Sequence, residues 1–450
     1  MNTVMKASAA VLSLFFIGVP ATTQARQWTL SDCINYALTN NISLKKTTLQ
    51  RLSALEDVCE AKAQLLPSLS ASTSQTVTYN PFPQSGRATM AGDYIESSVD
   101  KVYYNGSYTV QGNWTVWNGN RNRNQVKLNQ LIADKADLDS ASQARSIQEQ
   151  IAQLYVQILY STEDVKVCQE SYAMSAKNEE RGKEMVKAGK MSRSDLAQLS
   201  AQAAQDKYNI VAAESSVKNY KRQLKQLLQI TNDEPFDVVD PKTTDAQALQ
   251  PVPKLSGIYE ASLNNRPELK AYQNTIDQYA LNYKMAKASN LPTVSVNAGV
   301  GTSTTSLSSN AWGNQIKNNF GINGGVTISI PIFDQRSRKT SMNKAMIAQE
   351  SARLDLQNEQ TTLYSTIENY WLQAVTNQDQ YKAARVSTTS AETSYNLLSE
   401  QFKLGLKNIS DLRTGKDNLI KARQSELQAK YLTILNLDML DFYKNGTLKK

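Results

Sequence analysis

The chain of 450 residues reads as a mainly α protein with a membrane β-barrel, built from a duplicated unit of helix, strand, strand, long helix and helix. Three observations predict this. The two halves repeat each other; two stretches of ~68 residues run without proline in helix-favouring composition; and four stretches alternate apolar with polar side chains at period two.

The repeat comes first because it fixes the architecture before any single element does. "AKAQLLPSLSAS" (61 to 72) matches "AKASNLPTVSVN" (286 to 297), so Pro67 aligns with Pro292 at an offset of 225 (292 − 67). Leu38, Asn40 and Leu44 meet Leu263, Asn265 and Leu269 at the same offset. Further on, "VKAGKMSRSDL" (186 to 196) matches "FKLGLKNISDL" (402 to 412), where the offset is 216 (405 − 189). The difference accumulates between Pro67 and Trp117, so the first half carries the longer loop.

In chain order, Lys6, the apolar run Ala7 to Val19, and the small residues around Ala25 read as a secretory signal peptide over 1–25. The first repeat spans 26–230: a helix over about 31 to 66, strands at about 68–80 and 102–117, a long helix at about 119–186, a turn at 187–192 and a return helix at 193–230. A linker at 231–256 follows, whose Pro235, Pro241, Pro251 and Pro253 rule out a continuing helix. The second repeat, 257–450, places strands at about 292–303 and 320–332, a long helix at about 335–402, a turn at 403–408 and a return helix at 409–444.

Each long helix reaches ~100 Å. Ile147, Ile151, Leu154 and Ile158 step by four and three residues, and Leu363, Ile367, Tyr370 and Ala374 occupy the equivalent places, a spacing that packs helices side by side. A second row, Ala152, Tyr155 and Leu159, predicts neighbours on two sides.

Tyr104, Gly106, Tyr108, Val110, Gly112, Trp114 and Val116 alternate with polar residues, as do Val294 to Val300 and Phe320 to Ile330. At 10 to 14 residues these strands have the length that a tilted membrane strand requires. Four strands cannot close, because lipid tolerates no open sheet edge and the smallest membrane barrels use eight. Chains must share one barrel. Two chains would give eight filled strands, and three would give twelve with room inside.

Composition excludes much chemistry. The chain has no His, which removes the commonest general base and metal ligand, and no phosphate-cradling glycine motif appears. No enzyme activity, cofactor or metal site is expected. Cys33, Cys59 and Cys168 are an odd set in an exported chain, and Cys33 and Cys59, on one predicted helix, would stand ~39 Å apart. Free or buried thiols follow. The net charge of +8 is spread over mixed-charge helix faces, and no nucleic-acid partner is expected. Arg121, Arg123, Lys127, Arg336, Arg338 and Lys339 cluster at the starts of the long helices, where the dipole disfavours cations. A compensating partner is expected there, with periplasmic-leaflet phospholipid head groups as the candidate.

With "ISIPIFDQRSRK" (328 to 339), the degenerate "WTVWNGNRNR" (114 to 123) and the turns "KAGKMSRSDL" and "KLGLKNISDL", the chain resembles the TolC-like outer-membrane efflux family over nearly all of its mature length. The resemblance implies a homotrimer with a shared twelve-stranded β-barrel in outer-membrane lipid and an α-barrel tunnel across the periplasm of a Gram-negative bacterium. It implies a passive conduit for small toxic compounds, fed by a proton-driven inner-membrane transporter through a periplasmic adaptor (membrane fusion) protein. An exit duct for type I protein secretion is the rival on the same fold. A secreted coiled-coil structural protein would leave the strands unexplained.

The resemblance also assigns residues. Trp117, Asn118, Pro331, Phe333 and Asp334 form the strand-helix junctions, and Ala188, Gly189, Lys190, Met191, Leu404, Gly405 and Leu406 the tip turns that dock the adaptor. Asp195, Asp411, Lys407 and Phe402 are the gate candidates. Family members with a described gate carry two acids near the second tip. Here Asp411 matches the first, Thr414 stands at the second place, and Phe402 replaces a hydroxyl-bearing tyrosine.

Overall fold

The computed structural model describes residues 26–448 except 83–85, 91–92, 98–99, 233 and 242, so the expected signal peptide lies outside the described residues. The first half runs β1 (Arg26–Trp28), α1 (Leu30–Asn40), α2 (Ile42–Ala63), β2 (Ser68–Tyr79), β3 (Gly86–Met90), β4 (Asp93–Ser97), β5 (Val102–Trp117), α3 (Arg121–Lys187) and α4 (Arg193–Leu227). The crossing segment holds β6 (Phe236–Val238) and α5 (Asp245–Ala248). The second half runs α6 (Leu255–Asn265), α7 (Pro267–Ala288), β7 (Thr293–Thr305), α8 (Trp312–Asn318), β8 (Gly321–Ser329), α9 (Ser337–Lys403) and α10 (Ile409–Asn445).

The duplication appears as matched lengths. The helices α1 and α6 have 11 residues each, α2 and α7 have 22, and α3 and α9 have 67. The span 31 to 66, expected as one helix, is two. Asn41 turns extended, its side chain accepts from Ser43 N at 2.9 Å to cap α2, and its amide donates to Leu227 O at 3.0 Å. Arg266 makes the equivalent break with Pro267 at the first helical position, where proline's missing N–H is harmless.

β2, β5, β7 and β8 form one antiparallel sheet in that order. The register aligns the alternations of all four strands. Leu69 faces Gly112, Val110 faces Val300, Trp114 faces Val296, and Val300 faces Ile322. On the other face Ser72 meets Thr109, Asn113 meets Asn297, and Asn297 meets Gly325. A register shift between Thr115 and Trp117 brings Trp117 opposite Val294, onto the apolar side in place of Val116. Such a bulge re-aims a side chain at a barrel rim. The longer loop of the first half carries the hairpin β3–β4.

The helices form a wall. Toward the sheet, α3 packs against α2 and α7, and α7 against α9; at the other end α3 pairs with α4, α9 with α10, and α10 bridges to α3. The core lies where the short helices meet end to end. One cluster gathers Trp28, Cys33, Leu44, Ile147, Ile151, Tyr155, Ile158, Leu224 and Val238, and a second gathers Ile258, Leu363, Ile367, Ala374, Leu440 and Phe442. The crossing segment is pinned across both: Tyr155 Oη donates to Val239 O at 2.6 Å, Gln378 Nε2 to Ala248 O at 2.9 Å, and Trp371 Nε1 to Pro253 O at 3.0 Å. Cys33 and Cys168 are buried and Cys59 is exposed. Burial pushes the Cys33 thiol up to about 12 and the Cys168 thiol up to about 11, so neither is a thiolate near neutral pH.

Candidate functional site

Two constellations stand at opposite ends of the long helices. At the sheet end, the chain leaves β5 and β8 through paired left-handed residues: Gly119 (φ 69°) and Asn120 (φ 64°) in one repeat, Gln335 (φ 52°) and Arg336 (φ 69°) in the other. Asn118 and Asp334 precede these pairs and reach across them. Asn118 Oδ1 accepts from Asn122 N at 3.3 Å; Asp334 Oδ2 accepts from Arg338 N and from Arg338 Nε, each at 2.7 Å. The Arg338 contacts hold the Asp334 carboxyl below the usual carboxylate range. A carboxylate over the first turn of a helix suits the dipole, and it supplies Arg338 with a protein partner. Arg338 Nη1 also donates to Pro331 O at 3.2 Å. Beside the junction Ile332 and Phe333 are 91% and 85% exposed, and Trp114 Nε1 donates to Leu65 O at 2.9 Å. Arg121 lines a polar cleft of about 740 Å³ with Asp57, Glu60 and Asn129.

At the far end, both turns close with the same hydrogen bonds. Lys190 N donates to Met185 O and Gly189 N to Val186 O; Leu406 N donates to Gln401 O and Gly405 N to Phe402 O. This is the Schellman arrangement, which requires a left-handed residue after the helix end. Gly189 sits at φ 68° and Gly405 at φ 74°, with open space where a Cβ would be. The backbone alone demands glycine there. Ser192 and Asn408 then cap α4 and α10, accepting from Asp195 N at 3.0 Å and Asp411 N at 2.8 Å.

Of the residues expected at this end, Ala188, Gly189, Lys190, Leu404, Gly405 and Leu406 are exposed, the two leucines at 74% and 70%. Asp195 and Asp411 are half-buried at the first turns of α4 and α10, and Lys407 Nζ lies 3.7 Å from Asp411 Oδ2. Two expectations are corrected. Phe402 is 3% exposed, closed in by Tyr395, Ile409 and Leu412, so it is a packing residue and leaves the gate candidates. Met191 is half-buried against the same cluster, which joins the two turns instead of offering a free contact.

The sequence reading missed a buried polar node behind the turns. Lys416 Nζ on α10 contacts Asp206 on α4 and lies 2.7 Å from Ser175 Oγ on α3, and Ser175 also contacts the Asp206 carboxylate. Gln202 Nε2 donates to the other Asp206 oxygen at 3.2 Å. All three central residues are buried. A signal existed: Lys416 interrupts the apolar row Leu412, Leu419, and Asp206 continues the row Leu199, Ala203.

The sequence profile of the outer membrane efflux protein family matches residues 33–228 and 258–443, one match to each repeat. The chain is 22% identical over 424 residues to "Toxin and drug export protein A" of Aggregatibacter actinomycetemcomitans, covering 90% of this chain and 83% of that protein. It is 21% identical over 435 residues to outer membrane protein TolC of Escherichia coli (strain K12), covering 95% of this chain and 83% of that protein. The solved structure of CusC, a transmembrane channel, shares the fold at a TM-score of 0.78 and 16% identity, over 96% of this chain and 95% of that one. With both repeats matched and the whole architecture shared, the chain belongs to the outer membrane efflux protein family.

Proposed function

We propose that the chain is the outer-membrane channel of a tripartite export system, a homotrimer that conducts small toxic compounds passively from a proton-driven inner-membrane transporter. A periplasmic adaptor joins the two. One observation carries this reading: a four-stranded sheet, apolar on one face and polar on the other, has two open edges and stands on paired helices of 67 residues.

No described helix is long and apolar enough to cross a membrane; in this reading the sheet is the spanning element. Leu69, Ile322, Val326 and Ile328 are 62% to 78% exposed on the chain by itself, and lipid is the solvent that suits such a face. The edges β2 and β8 must pair with other copies. Below them, α2 carries exposed Leu49, Leu52 and Leu55, and α9 carries exposed Met346, Ile347 and Leu354. The β2–α2 edge of one copy therefore meets the β8–α9 edge of the next, a head-to-tail contact that closes as a ring. Three copies give twelve strands and a water-filled lumen.

At the far end, six glycine turns would ring the tunnel mouth. Leu404 and Leu406, exposed and flanked by Lys403 and Lys407, are the proposed adaptor contacts, and Asp411 the proposed gate carboxylate. The test is conductance across a planar bilayer together with mass measurement in mild detergent. A trimer mass and cation-dependent single-channel steps are expected; a monodisperse, non-conducting monomer would overturn the reading. Export of a protein substrate is the second reading, favoured by the toxin in the name of one relative. Deletion that leaves drug susceptibility unchanged and abolishes secretion of a protein would select it.

A further inference from the structure

Residues 306–320, between β7 and β8, do not extend away from the sheet. They fold back onto its outer end, and hydrogen bonds fix which face they cover. Thr302 Oγ1 donates to Ile316 O at 2.8 Å, and the Trp312 ring stands edge-on to Tyr108 at 6.2 Å. Thr302 and Tyr108 are cross-strand partners two residues beyond Val300 and Val110, so the covered face is the apolar one. Burial agrees: Thr304 is 8% exposed, whereas Ser303, pointing the other way, is exposed.

The segment is firmly built. Gln315, 7% exposed, accepts from Thr305 N at 2.8 Å and donates from Nε2 to Asn310 O at 2.7 Å, and Asn319 Nδ2 donates to Ser303 O at 2.7 Å. These bonds satisfy polar groups inside the segment, as a position against lipid requires. Its outward surface is amphipathic: Leu307, Trp312 and Phe320 are 44%, 59% and 56% exposed beside Tyr104 at 57%, and Asn310, Asn314 and Asn318 are exposed between them, a mixture that suits head-group depth. Lys317 is exposed among them.

We infer that this segment lies outside the barrel and anchors it in the outer leaflet, with Trp312 at head-group depth. The inference rests on the reading that the sheet spans the membrane. On β7 the apolar alternation stops at Val300, and the same face continues as Thr302 and Thr304, beside a barrel rim where membrane barrels carry aromatic residues. The segment covers those two threonines and supplies the aromatic rim. Trp114 and Trp117 mark the opposite rim, and Lys317 can reach lipid phosphate by snorkelling.

The experiment uses the full chain reconstituted in phosphatidylcholine vesicles whose acyl chains carry bromine, a tryptophan quencher, either near the head group or near the bilayer middle. The difference in emission between the wild type and Trp312→Phe isolates Trp312, and Trp114→Phe isolates the opposite rim. The Trp312 component should be quenched more by shallow bromine than by deep bromine, and little by aqueous acrylamide. A gained tryptophan, Leu307→Trp, should show the same pattern and serves should Trp312→Phe assemble poorly. Quenching of the Trp312 component by acrylamide and not by lipid, with Trp114 still lipid-quenched, would place the segment in the watery mouth and overturn the inference. If neither tryptophan responds to lipid, the membrane reading itself fails and the inference with it.

Discussion

Gly405 shows how one residue can be required by backbone conformation alone. Nothing crowds its Cβ position, so Gly405→Ala should destabilise the chain by about 1–2 kcal/mol, the penalty of a left-handed non-glycine residue. Gly405→Asn should cost less, because asparagine tolerates that region; denaturant melts of both variants check this. Lys416 shows the opposite case, a side chain fixed by what surrounds it. Lys416→Met leaves the buried Asp206 carboxyl without its partner, which should cost about 3–5 kcal/mol. Adding Asp206→Leu should recover most of that, since the pair itself contributes little beyond its own desolvation. A double-mutant cycle by chemical denaturation measures it. Gly405 was legible in the sequence because the two turns repeat, whereas the Lys416 partner was not, since Asp206 and Ser175 lie on other helices.

The two helical hairpins solve one packing problem in mirror fashion. In the first, a Cβ on Gly182 would stand 2.6 Å from Leu199 Cδ1; in the second, a Cβ on Gly415 would stand 2.6 Å from Leu398 Cδ1. At the repeat offset of 216 (405 − 189), Gly182 corresponds to Leu398 and Leu199 to Gly415, so small and large residues have exchanged sides. Gly182→Leu should therefore cost about 1–3 kcal/mol by overpacking, and Leu199→Gly in the same chain should relieve it, with thermal melting as the readout. The crossing segment invites a pH test. The Lys430 ammonium, 2.9 Å away, holds the Asp245 carboxyl below its usual range. A depressed carboxylate contributes stability above its unfolded value of about 3.9 and loses it as pH falls through the folded value. The protection factors of α5 amides, taken against the intrinsic exchange rate at each pH, should fall on acidification below about pH 4, and Lys430→Met should weaken that pH dependence, Tyr381 and Arg385 keeping the remainder. Proline spacing marked this segment as non-helical, yet its docking depends on Gln378 and Trp371 on α9, which no local pattern announces.

Across the whole molecule, the face of the sheet should decide tolerance. Val326→Lys places a cation on the proposed lipid face, at a cost of about 2–4 kcal/mol near the bilayer middle, and should abolish membrane assembly. Thr327→Lys, one residue on and on the opposite, proposed lumen face, should assemble and alter conductance instead. Outer-membrane fractionation followed by bilayer recordings separates the two. The proposed ring requires both open edges to find partners, so a substitution that blocks β2, such as Ser72→Pro, should leave folded helices but none of the expected trimer by mass measurement.

By itself the sequence determined the duplication, the long helices, the alternating strands and the glycine turns, because each is written in local spacing: periods of two and of three to four residues, proline's absence, glycine where a left-handed residue must stand. Tertiary structure decided what depends on residues far apart in the chain. The sheet register set all four alternations on one face and the bulge moved Trp117 onto it. Asn41 divided a helix by capping toward Leu227. Phe402 and Met191 went into a shared core, and Lys416 found Asp206. Those outcomes follow from which apolar and charged groups could be removed from water together, a condition that one segment read in isolation does not contain.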